Sequence, residues 1–78
     1  GLPDRGSGKT YRLQIGAFSG PEAANKAAAL LRSAGFNTQI EQLDSIYRTM
    51  VIGISAPDVY QASVRLGALG FGQIWVKE

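Results

Sequence analysis

The chain has 78 residues, 45% of them apolar, with eight Lys/Arg against six Asp/Glu. That length sustains one small core and leaves little room for a deep catalytic cleft, and the lack of cysteine and histidine excludes thiol nucleophiles, Cys/His metal sites and the usual general base. The basic residues are scattered along the sequence without a run, unlike those of a duplex-binding protein, and no apolar stretch approaches the ~20 residues of a membrane-spanning helix.

Residues 1–10 read as a flexible linker, and residues 11–78 as the folded domain. Gly8-Lys9-Thr10 has the ending of a phosphate-binding loop, G-x-x-x-x-G-K-[ST]. The opening glycine of that motif falls on Pro3, which has no N–H to offer a phosphate and a fixed φ. No apolar strand precedes the motif and no helical pattern follows it, so the nucleotide reading fails. Position 1 is glycine, which fits a piece excised from a longer protein.

From Tyr11 onward the chain echoes itself. Tyr11-Arg12 recurs as Tyr47-Arg48 and Pro21-Glu22 as Pro57-Asp58, and Gly35-Phe36 recurs as Gly70-Phe71. Each unit opens with an alternating apolar segment, YRLQIGAF or YRTMVIGI. Each continues through a Ser/Gly/Pro/acid cluster into an Ala/Leu-rich stretch, and closes on AGF or LGF.

Leu13 and Ile15 alternate with Arg12 and Gln14, the pattern of a half-buried strand. Ser19-Gly20-Pro21-Glu22 suits a helix start, with proline in the first turn and an acid at the positive dipole end. Residues 21–34 are nearly all good helix formers, and Gly35 suits the C-terminal cap. Strands are predicted over 36–43 and 46–54, joined by a tight turn at Asp44-Ser45. The second helix starts near Pro57-Asp58 and ends at Gly70, and QIWVK, residues 73–77, supplies the last strand. Gly16 and Gly53 mark places for a bulge or turn.

The order β-α-β-β-α-β predicts an α+β fold of the split, ferredoxin-like (RNP-like) kind. Right-handed crossovers place both helices on one face of a four-stranded antiparallel sheet and leave an open face for a ligand. The stripes Ala24, Ala27, Ala28, Leu31 and Val59, Ala62, Ser63, Leu66 read as helix faces turned to the core.

Period-2 alternation assigns the strand faces. Leu13, Ile15, Met50, Ile52, Ile54, Ile74 and Val76 are expected inside. Arg12, Gln14, Thr49, Val51, Gln73, Trp75 and Lys77 are expected outside, and Tyr47 shares that phase unless a bulge intervenes. Trp75, the single tryptophan, either fills a corner of the small core or presents a flat ring and an N–H to a ligand. In the second case Gln14, Thr49 and Trp75 make a shallow, uncharged polar-aromatic surface suited to sugars, whose binding responds weakly to salt.

The Gln14-Ile15-Gly16-Ala17-Phe18 stretch, the Pro-Glu helix opening and the recurring Gly-Phe resemble the SPOR domain, a bacterial septal peptidoglycan-binding family. The resemblance covers residues 11–77. It implies a non-catalytic module that binds glycan strands stripped of their stem peptides along the open sheet face. Gln14 matches the glutamine of the first-strand motif. Ala17 stands where many members have a serine, so a hydroxyl contact is missing. Trp75 lies on the last strand, where some members carry an aromatic glycan contact. Residues 52–55, IGIS, depart from the usual G-P-F. The candidate glycan-binding set is therefore Arg12, Gln14, Ala17, Tyr47, Thr49, Val51, Gln73 and Trp75.

The resemblance further implies a periplasmic or cell-envelope location, as the terminal domain of a larger protein. The expected partner is the denuded glycan strand, with no cofactor, no nucleic acid, no membrane contact and a monomeric domain. An RNA-binding domain of the same topology needs aromatics on the two central strands in an RNP1-like motif, which YRTMVIGI lacks. A protein-interaction domain of the same architecture is the other alternative.

Overall fold

In the computed structural model, residues 2–78 are described; Gly1, the first residue of the expected linker, lies outside them. The chain runs through β1 (Thr10–Phe18), α1 (Pro21–Ser33), β2 (Thr38–Leu43), β3 (Ile46–Ser55), a 3₁₀ turn at Ala56–Asp58, α2 (Val59–Ala68) and β4 (Trp75–Lys77). The strands form one antiparallel sheet in the order β2-β3-β1-β4. This is the expected β-α-β-β-α-β fold.

The Gly-Phe echo has a common structural cause. After α1, the Gly35 N–H donates to the Arg32 carbonyl and the Phe36 N–H to Leu31, both at 3.0 Å. After α2, Gly70 donates to Gly67 and Phe71 to Leu66, again at 3.0 Å. Both are Schellman closures, which need a left-handed residue at the glycine; φ is 93° at Gly35 and 101° at Gly70. The phenylalanine that follows each glycine then turns back to the core around Leu31 and Leu66.

Ala24, Ala27, Ala28 and Leu31 are buried on α1, and Val59, Ala62 and Leu66 on α2. Ser63 is half-buried and returns its hydroxyl to the Val59 carbonyl. Beneath them lie Tyr11, Leu13 and Ile15 from β1, with Val51 from β3. Arg65 caps this side by stacking 4.4 Å over the Phe36 ring, a cation–π contact.

Two bulges set the register of the central pair. Between Tyr11↔Ile54 and Leu13↔Val51, β3 carries one residue more than β1. Between Gln14↔Met50 and Gly16↔Thr49, β1 carries one more than β3. The two cancel, so the strands stay aligned at both ends. Gly53 holds the β3 bulge with φ at 71°, and a methyl there would meet nothing within 4 Å. The cost of Gly53→Ala is therefore a backbone cost, about 1–2 kcal/mol for a left-handed non-glycine residue. A urea titration should show the midpoint lowered with the slope unchanged.

The β3 bulge overturns part of the face assignment. Ile54 does pack toward the core, but the extra residue at Gly53 reverses the phase of everything before it. Val51 and Thr49 face the helices and are fully buried. Thr49 Oγ1 donates to the Ala24 carbonyl of α1 at 3.0 Å. Tyr47, two residues earlier on the same face, goes with them. Met50, expected under the helices, lies on the opposite side. The last strand is shorter than expected: Gln73 and Ile74 precede β4 as coil, Gln73 exposed and Ile74 packed against the core.

Candidate functional site

The registers line up one residue from every strand on the open face. Trp75 of β4 pairs with Gln14 of β1, Gln14 with Met50 of β3, and Met50 with Gln39 of β2. Residues paired across antiparallel strands share a face, so these four form a single row across the sheet. Trp75 heads it with 65% of its surface exposed. Val76, of opposite phase, packs against the core, which is what turns the indole outward. Gln14 is half-buried in the middle of the row.

Met50 is fully buried although it sits on the face without helices. Its cover is an ion pair: Arg12 Nη1 of β1 meets Glu41 Oε2 of β2, reaching across β3. Arg12 lies one step beyond the row on one side and Glu41 one step beyond on the other, so the pair crosses above Met50. This ridge separates Trp75 and Gln14 from Gln39. Arg12 is fixed further by donating from Nε to the Glu78 carbonyl at 3.1 Å. Lys9 Nζ reaches the Glu78 carboxylate at 2.6 Å. That hydrogen bond, and then the opposite charge, raise the Lys9 pKa above the usual lysine value.

The site is thus a shallow platform with an aromatic edge, a glutamine centre and a charged ridge. Of the expected set, Arg12, Gln14 and Trp75 are brought together here. Ala17 joins them through its pairing with Arg48 and is exposed. Gln73 lies just outside, on the coil that leads into Trp75. Tyr47, Thr49 and Val51 do not belong to this face, because the Gly53 bulge turns them to the helices. Arg48 and Met50 take the places expected for Thr49 and Val51 on β3, Gln39 and Glu41 of β2 share the face, and the surface expected to be uncharged around Gln14 and Trp75 carries the Arg12–Glu41 pair. The available signal was spacing: Gly16 follows Tyr11 by five residues but Gly53 follows Tyr47 by six, and a bulge in the second strand absorbs the extra one.

Trp75 also borders a recess of about 550 Å³ between β4 and α2, lined by Phe71, Ile74, Val76 and Ser63. Trp75 therefore stands at the edge of the sheet, beside a recess that α2 also lines. No group of acidic residues that could hold a metal is present among the described residues.

Comparison with known proteins gives three results. The SPOR domain family model matches residues 7–72. An uncharacterized protein of Aquifex aeolicus (strain VF5) is 45% identical over 40 residues, 51% of this chain and 17% of the relative, so the match spans only a small part of that longer protein. The solution structure of the peptidoglycan binding domain of the B. subtilis cell wall lytic enzyme CwlC superposes with a TM-score of 0.75 at 23% identity, covering 99% of this chain and 100% of that domain. At that identity the superposition speaks for the fold, and it reproduces the arrangement of strands and helices described above. With the family match extending over most of the sequence, the chain belongs to the SPOR domain family.

Proposed function

We propose that this domain binds peptidoglycan glycan strands lacking stem peptides on its open sheet face, without catalysis. In this reading Trp75 stacks on the apolar C–H face of a sugar ring. Gln14 and the Arg12–Glu41 ridge pair with its hydroxyl and acetamido groups. The observation that carries the reading is the exposed indole at the head of a polar row, a combination suited to carbohydrate. The fold shared with the peptidoglycan binding domain of CwlC supports it.

The same domain would act as a monomeric targeting module of a larger periplasmic or envelope protein, concentrating it at the division septum, where amidases leave bare strands. The RNA alternative is disfavoured by the two central strands, which present Gln14 and Met50 rather than stacking aromatics.

Titration with amidase-treated glycan strands, with strands still bearing stem peptides and with single-stranded RNA tests the proposal. Saturable binding is expected with the first alone. Equal binding to peptide-bearing strands would remove the specificity, and preference for RNA with steep salt dependence would replace the reading altogether.

A further inference from the structure

The formal charge of the chain is +2, and the fold concentrates that excess on one face. On the helices and connecting segments, Arg5, Lys26, Arg32 and Arg65 are matched in number by Asp4, Glu22, Asp44 and Asp58. Lys9 pairs with Glu78, and Arg12 with Glu41. What remains is Arg48 on β3 and Lys77 on β4. Both are half-buried on the open face, and neither has an ion-pair partner among the described residues.

Arg48 is the more informative of the two. Its cross-strand neighbour on β2 is Glu41, the position from which a carboxylate usually neutralises a strand cation. Glu41 turns instead to Arg12, two strands away. On the β1 side Arg48 faces Ala17, an exposed methyl too short to cover it. The guanidinium is therefore an uncommitted fork of donors beside the Trp75–Gln14 platform, the geometry that receives a carboxylate. By ideal sheet spacing it lies roughly 10 Å across the strands and 7 Å along them from Trp75. A sugar stacked on the indole leaves a neighbouring sugar's substituent within reach.

The geometry points to Arg48 as a specificity-determining residue that pairs with the free lactyl carboxylate of muramic acid. The inference rests on the glycan reading above and deepens it. Stem peptides are attached by an amide to that same carboxyl, so their removal unmasks an anion on every second sugar. A peptide-bearing strand offers Arg48 a neutral amide and a bulky chain in its place. Bare strands are then recognised by a charge they gain as well as by the room they leave.

The test uses the whole domain and two preparations of the same amidase-treated strands, one with free carboxylates and one with those carboxylates converted to amides. The unmodified domain should bind the free form about 3- to 10-fold more tightly than the amidated form, the range for a partly exposed charged hydrogen bond. That advantage should shrink as salt rises. Arg48→Gln should lose it, binding both forms alike, and Arg48→Lys should restore part of it. Equal binding of both forms by the unmodified domain overturns the inference while leaving glycan binding intact. An equal loss on both forms in Arg48→Gln overturns it too. Failure of the unmodified domain to bind either form instead removes the glycan reading beneath it. The comparison of the two strand forms needs no variant, so it stands even where a substitution disturbs folding.

Discussion

Trp75→Ala is expected to weaken binding to bare glycan strands by roughly 5- to 100-fold while the domain stays folded. The magnitude follows from aromatic stacking, worth on the order of 1–3 kcal/mol per ring in the comparable case of nucleic-acid bases. The retained fold follows from exposure: 65% of the residue meets solvent, and the inward contact of β4 is made by Val76. Calorimetric titration measures the first effect and thermal unfolding the second. As the single tryptophan, Trp75 also gives the unmodified domain an intrinsic fluorescence signal that should change on glycan addition. A variant that loses its cooperative transition would show the indole to be structural, and the proposed platform would fall with it.

Val51→Asp is expected to have the opposite profile, abolishing cooperative folding at neutral pH. Val51 is fully buried on a central strand, between Leu13 of β1 and Thr38 of β2. A carboxylate placed there has no cation to meet, and an unpaired buried ion costs several kcal/mol. Small domains hold only about 5–15 kcal/mol in total. Circular dichroism at increasing temperature should show no sigmoidal melt. A folded Val51→Asp that had lost only glycan binding would return Val51 to the open face and contradict the bulge at Gly53. The two substitutions thus separate the sides of the sheet by their effects on folding and on binding.

Local chemistry made much of this fold legible. Gly35-Phe36 and Gly70-Phe71 announce helix ends because only glycine takes the left-handed turn cheaply, and both close as expected. The α1 and α2 stripes and the inward phase of β1 follow from periods that one element fixes alone. The phase of β3 does not. It depends on where an extra residue is absorbed, and that is decided by pairing with β1. Tyr47, Thr49, Met50 and Val51 were misplaced for this reason, and Arg48 was overlooked.

The charged ridge was hidden for a related cause. Arg12 and Glu41 are 29 positions apart, and only the strand order brings them across the same neighbour. The isolation of Arg48 is a consequence of that encounter, so no inspection of adjacent residues reveals it. Trp75 was legible because its phase is fixed by Val76 beside it. Gln73 was not, because the ladder begins only at Trp75.

β4 spans three residues, Trp75 to Lys77, and is paired along one side alone. The indole is therefore mounted on the thinnest girder of the scaffold. Detachment of that short edge strand would remove the aromatic contact while the helices and inner strands held their places, since local opening of a weakly held element is far cheaper than global unfolding. Grip on a saccharide and adhesion of the three residues of β4 become one equilibrium. A bound glycan fastens β4, and a loosened β4 lets the glycan go.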